Sequence, residues 1–151
     1  MASAPSESPT VLVDTNVLIY GYDPDAGTKH TTALKLIREF ARGGRMALSA
    51  QVINEFYWVS TRPYRSPNLA HKEACDALSE ICGCCSVFPL SQATTFRAVD
   101  AVALHGLSFW DALIWAVAAE NGMSVVYTED CQHDRVIDGV RFCNPFEKGA
   151  I

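Results

Sequence analysis

The chain predicts an α/β fold with a central, mainly parallel sheet of about five strands. Three observations carry this expectation. Apolar runs of strand length alternate with segments of helical, amphipathic pattern. The first run, Val11-Leu12-Val13, has no polar position, as in strands covered on both faces. Gly, Pro and Asn fall between these segments, where they end helices and strands.

The elements follow in order. Val11 to Val13 is the first strand, and Asp14-Thr15-Asn16 opens a helix through Tyr20. Gly21 to Gly27 is a loop around Asp23-Pro24-Asp25. Thr28 starts an amphipathic helix with Ala33, Leu34, Leu36, Ile37 and Phe40 on its apolar face, and Gly43-Gly44 ends it. Arg45 to Leu48 is the second strand. Ser49 suits the N-cap of the next helix, which Pro63 terminates. Pro67 and Asn68 open a further helix to about Cys82. Ser86 to Pro89 is a third, weaker strand. Ser91 caps a helix expected to turn Phe96, Val99, Val102, Ala103 and Leu107 inward. Ser108 caps the helix from Trp110 to Glu120, which Gly122 ends. Ser124 to Tyr127 is the fourth strand, and Val140 to Cys143 the fifth, stopped by Asn144-Pro145.

Composition narrows the class. The chain has 151 residues, 49% hydrophobic and 19% charged, as in one globular domain with a sizeable core. That domain is expected over residues 10–151. Met1 to Pro9, rich in Ser, Pro and Ala, reads as a flexible tail. No stretch approaches the ~18 apolar residues of a membrane span. The first nine residues have neither the basic start nor the apolar centre of a secretory signal. A cytoplasmic location is the expectation. The net charge of −5 disfavours nonspecific nucleic-acid binding, which runs on surplus Lys and Arg. Six cysteines in such a compartment are expected as thiols. Cys82 and Cys85 have CxxC spacing, but no second pair follows at zinc-site distance, so zinc is not the reading.

Four acids stand out. Asp14 closes the first strand, and Asp130 follows the fourth in Tyr127-Thr128-Glu129-Asp130. Ligands of open parallel sheets bind beyond such strand ends. Asp14 alone serves equally as a helix N-cap. Glu55 lies with Val52, Phe56 and Val59 on an apolar helix face, where Glu is rarely buried unpaired. Asp111 alone is better explained by the capping box Ser108-Phe109-Trp110-Asp111. Glu129 or Asp130 could be the inward acid of its pair. Taken together, the four suit a hard divalent cation such as Mg²⁺, which prefers carboxylate oxygens. One or two such ions generate hydroxide and clamp a phosphate without a His or Cys nucleophile. His30, His71, His105 and His133 show no catalytic arrangement, and neither a Ser-centred nucleophile elbow nor a Gly-rich phosphate loop is present.

Five segments carry a family resemblance. They are Val11-Leu12-Val13-Asp14-Thr15-Asn16-Val17-Leu18, Ser49 to Glu55, Phe109-Trp110-Asp111-Ala112-Leu113-Ile114, Tyr127-Thr128-Glu129-Asp130, and Asn144-Pro145-Phe146. In this order the chain resembles the PIN-domain ribonucleases, and within them the VapC-type toxins of bacterial toxin–antitoxin systems, over residues 10 to 147. The resemblance implies a three-layer α/β/α sandwich. It implies a Mg²⁺- or Mn²⁺-dependent endoribonuclease in which Asp14, Glu55, Asp111 and Asp130 are metal ligands or water activators. Asn16 and Thr128 would support them by hydrogen bonds, with Glu129 beside Asp130. It also implies RNA as substrate, a homodimer, and a cognate antitoxin whose tail fills the active-site groove. The Cys82 to Cys85 run is no part of that pattern. Arg62, Tyr64 and Arg65 are candidates for RNA or antitoxin contact, because a Tyr between two Arg suits base stacking. Arg38, Arg42 and Arg45 read as a solvated helix face.

Two rival readings remain. A phosphatase using Asp14 as nucleophile would carry a second Asp two positions on, where this chain has Asn16. A degenerate PIN-like module would bind RNA or protein without cutting, and the complete acid set argues against it.

Overall fold

The computed structural model describes residues 9–150; the expected tail, except Pro9, lies outside the described residues. Six strands form one sheet. Five are parallel: β1 (Val11–Val13), β2 (Met46–Ser49), β3 (Ser86–Phe88), β4 (Val125–Tyr127) and β6 (Val140–Cys143). The sixth, β5 (Val136–Ile137), lies antiparallel to β6 at one edge. The order is β3-β2-β1-β4-β6-β5. The central strands bury wholly apolar residues such as Leu12, Val13, Leu48 and Val126. Each such side chain contributes about 1.5–3 kcal/mol by burial.

The extra strand is a two-residue hairpin. Asp138 (φ 46°) and Gly139 (φ 80°) both take the left-handed conformation of a tight turn. Asp138-Gly139 is a hairpin signal, but two residues are too few to show strand alternation.

Six helices cover the sheet as the outer layers of a sandwich. They are α1 (Thr15–Gly21), α2 (Thr28–Arg42), α3 (Ala50–Ser60), α4 (His71–Gly83), α5 (Gln92–His105) and α6 (Phe109–Glu120). Helices α1 to α4 pack in sequence-adjacent and neighbouring pairs, and α5 packs on α6. A Cβ at Gly21 would sit 2.5 Å from Ile37 Cδ1, so the glycine lets α1 lie close on α2. No single described helix is long and apolar enough to cross a membrane.

Three expectations change. Helix α4 starts at His71, not at Pro67 or Asn68. Asn68 has a φ of 48°, and Leu69 N donates to Ser60 O at 2.7 Å, so this segment is tied to the end of α3 instead. Helix α5 buries Thr94, Ala98 and Ala101, while Phe96 and Val99 stand 60% and 50% exposed. Small residues let α5 approach its neighbour, so Phe96, Val99 and Ala103 face out, while Val102 is partly buried and Leu107, just past the helix, is buried as expected. Helix α6 is buried on every side from Ala112 to Ala118, where sequence reading put Asp111, Ile114, Trp115 and Ala118 along one face. Its Trp115 donates Nε1–H to Ile137 O at 3.0 Å, anchoring the edge hairpin.

Candidate functional site

The sheet reverses its winding between β1 and β4. Strands β2 and β3 extend to one side of β1, and β4 returns to the other. Such a switch point leaves a crevice at the carboxyl ends of the two strands. Asp14 directly follows β1, and Asp130 lies three residues beyond β4.

Asp14 is 5% exposed and heavily hydrogen-bonded. Its Oδ1 accepts from Thr15 N at 2.6 Å, so it caps α1 as well. Its Oδ2 accepts from Thr128 Oγ1 at 2.7 Å and from Asn16 Nδ2 at 3.3 Å. Burial nonetheless pushes its pKa up to about 7. The bonds from Thr128 and Thr15 oppose that rise, and the charges of Asp130 and Glu55 add to it.

Asp14, Asp111 and Asp130 each offer a carboxylate oxygen within 4.8 Å of the other two. Asn16 Nδ2 donates to Asp130 Oδ2 at 3.0 Å, and its Oδ1 accepts from Glu129 N at 3.4 Å. Asp130 N donates to Thr128 Oγ1 at 3.2 Å. Partial burial raises the Asp130 pKa; the Asn16 bond lowers it, and Asp111, Glu129 and Glu55 raise it further.

Asp111 takes part in both arrangements read from sequence. Its backbone N donates to Ser108 Oγ at 3.1 Å, the N-cap of α6. Ser108 Oγ in turn donates to Asp111 Oδ2 at 2.7 Å. Capping fixes the carboxylate in the first turn and leaves it among the other acids.

Glu55 is outside the close trio. Its Oε2 accepts from Thr15 Oγ1 at 2.7 Å and its Oε1 from Gln51 Nε2 at 3.0 Å. Gln51 also reaches Trp110 O at 3.4 Å, linking α3 to the start of α6. Sequence reasoning passed over Gln51 and Thr15; the signal for Gln51 is its place one turn before Glu55. Gln51 Oε1 is buried without a hydrogen-bond partner among the described residues.

The adjacent pair divides its work. Glu129 points away from the trio: it accepts from Lys29 Nζ at 2.7 Å and from Tyr20 Oη at 2.5 Å. Lys29 also lies over the Tyr20 ring at 4.8 Å. Asp130, though exposed, is the one whose carboxylate lies beside Asp14 and Asp111. Cys131, which sequence reasoning passed over, sits beside the acids; burial, then the charges of Asp111, Asp14 and Asp130, push its thiol up to about 12.

Among the described residues no Lys or Arg forms an ion pair with Asp14, Glu55, Asp111 or Asp130. Three converging carboxylates without a protein cation are costly to ionise together. The all-oxygen donor set, with its uncompensated charge, fits a hard divalent ion. The Cys82 to Cys85 run joins no metal-ligand cluster among the described residues.

The segment after α3 carries the arginines singled out in the sequence. Arg62 lies over the Trp58 indole, Cζ 4.9 Å from the ring centroid. Tyr64 is fully exposed, with a φ of 62°.

Solved structures share this fold. VapC20 of Mycobacterium tuberculosis, described as a sarcin–ricin-loop-cleaving toxin, superposes with a TM-score of 0.64 at 21% identity, covering 80% of this chain and 90% of its own. A toxin–antitoxin complex from Klebsiella pneumoniae gives 0.66 at 20% identity, covering 91% and 99%. VapBC2 of Rickettsia felis, bound to a DNA fragment from its promoter, gives 0.62 at 16% identity, covering 88% and 96%. No curated protein matches in sequence. The family model described as PIN domain matches residues 11–138, a span that holds all four acids from Asp14 to Asp130, and the chain belongs to the PIN domain family.

Proposed function

We propose that the protein is a divalent-metal-dependent endoribonuclease and the toxin of a toxin–antitoxin pair. The observation that carries this reading is the convergence of Asp14, Asp111 and Asp130 within 4.8 Å, without a protein cation, at the sheet's switch point. The three carboxylates would hold Mg²⁺ or Mn²⁺, as one ion or two. The bound ion supplies Lewis acidity toward a phosphodiester and lowers the pKa of water.

The chain's own residues prepare that chemistry. Thr128 and Thr15 fix both oxygens of Asp14, so its orientation is set before anything binds. Asn16 holds Asp14 and Asp130 with one amide and keeps the two carboxylates from separating. Glu55, fixed by Thr15 and Gln51, is placed to orient or deprotonate a water instead of joining the close trio. Glu129 acts indirectly, by anchoring the loop that presents Asp130 to Tyr20 and Lys29.

The VapC20 and toxin–antitoxin likenesses support RNA as substrate and an antitoxin protein as partner. We extend the reading to a cytoplasmic homodimer, each copy a single nuclease domain over residues 10–151. Sequencing RNA 5′ ends after expression of the protein beside its Asp14→Asn variant tests the activity. Discrete new ends with the wild type alone are expected. Identical end profiles for the two proteins would reject it.

A further inference from the structure

Helix α3 carries more than Glu55. Gln51, Glu55, Trp58 and Arg62 follow one another at spacings of four, three and four, and so line one side of the helix and its capping turn. Arg62 N donates to Val59 O at 3.3 Å, which continues the turn beyond Ser60. At ~1.5 Å rise per residue, Trp58 lies about one turn beyond Glu55, and Arg62 about two. The indole is 61% exposed even with the guanidinium stacked over it.

The same stretch of chain is aromatic and cationic. Tyr64 is 102% exposed, and Tyr57, 38% exposed, turns to His71, its Oη 3.0 Å from Nδ1. Neither Arg62 nor Arg65 has an acidic partner among the described residues. The large exposed aliphatic residues, Val87, Val99, Leu104 and Val136, all lie on other elements. An apolar peptide would call for aliphatic side chains in this patch. Flat rings with arginine call instead for a nucleobase and its phosphate.

We infer that Trp58, with Arg62 stacked on it, is a platform for one unpaired base of single-stranded RNA next to the cleavage site. This rests on the nuclease reading above and adds where the substrate lies: along α3, from Glu55 outward. Arg62 and Arg65 would meet the flanking phosphates. The platform selects single strands, because a base inside a duplex offers no free face.

The test measures binding separately from cleavage. Fluorescently labelled single-stranded RNA and a hairpin-free duplex of the same sequence are titrated with the full chain in EDTA. Trp58→Ala is expected to weaken single-strand binding about tenfold, as loss of one stacked base does. Trp58→Phe should retain most of the affinity, and duplex affinity should not change. Arg62→Ala should lower the salt slope by about 0.7, the value for one phosphate of a single strand. Trp58 is largely exposed, so its removal leaves the core intact, and circular dichroism checks this. Unchanged single-strand affinity in Trp58→Ala, or an equal loss on duplex, overturns the platform. Unaltered RNA affinity with lost capture of a partner protein also overturns it and assigns the surface to that protein. If the platform fails while Asp14→Asn still abolishes cleavage, the nuclease reading stands. If the wild type neither binds nor cuts RNA, both fall.

Discussion

Asn16 donates its side-chain amide to Asp130 Oδ2 at 3.0 Å, joining the turn after β1 to the turn after β4. The same amide lies 3.3 Å from Asp14 Oδ2. One neutral donor therefore sets the relation between two carboxylates that repel each other. Asn16→Ala should keep the fold and lower cleavage about 10–100-fold, the usual cost of losing an outer-sphere partner. Parallel melting and RNA-cleavage assays check this; unchanged activity would show that the acids need no such bridge.

Asp14 makes stability depend on pH with an unusual sign. Its folded pKa, near 7, lies above the unfolded value of 3.8. Between these values the folded state binds more protons than the unfolded state, so stability falls as pH rises and the loss is complete above about 7. At ~1.36 kcal/mol per pKa unit the loss is roughly 4 kcal/mol for the metal-free protein. In EDTA, the melting temperature should be higher at pH 5 than at pH 8. Asp14→Asn should flatten that difference, and excess Mg²⁺ should recover stability at pH 8. A metal-free melting temperature that climbs with pH equally in wild type and Asp14→Asn would contradict this account of Asp14.

Glu129 and Asp130 are neighbours in sequence with different surroundings. Glu129 bonds to Lys29 and Tyr20, and Lys29 is 43% exposed. Exposed ion pairs contribute ~0–1 kcal/mol. Glu129→Gln should therefore change melting little and cleavage less than tenfold. Asp130→Asn removes a member of the close trio and should cost at least 100-fold in rate, on the scale of lost electrostatic groups. Comparable losses in the two variants would mean that the division between them is wrong.

Trp115 ties α6 to the edge hairpin through its bond to Ile137 O at 3.0 Å. Trp115→Phe leaves that carbonyl unpaired and shrinks a buried ring. A loss of about 1–3 kcal/mol in chemical denaturation is expected. A variant as stable as the wild type would show that water replaces the indole.

The sheet was legible because its central strands are short runs dominated by apolar residues, as Val11 to Val13 shows most clearly. The hairpin of Val136–Ile137 was not, because two residues display no period. Helix α5 misled in part, since Phe96 and Val99 face outward while Val102 packs on the core, and its buried line is Thr94, Ala98 and Ala101. In the candidate site, the positions of Asp14 and Asp130 after parallel strands could be read directly. The choice of Asp130 over Glu129 could not. It is made by Tyr20 and Lys29, about a hundred positions away in the chain. Glu55 was the acid that stood out most by itself in sequence, being on an apolar helix face, yet Thr15 and Gln51 hold it outside the close trio. The stacking partner of Arg62 is Trp58, one helical turn back, while the sequence neighbour Tyr64 stands alone in solvent.

The central claim is that Asp14, Asp111 and Asp130 hold a divalent ion that supports RNA cleavage. It is tested most directly by the initial rate of cleavage of a labelled RNA against Mn²⁺ concentration, for purified wild type and Asp14→Asn. The account predicts no cleavage in EDTA, saturable activation of the wild type, and no activation of the variant at any Mn²⁺ concentration. Equal rates with and without metal, or an Asp14→Asn protein as active as the wild type, would contradict it.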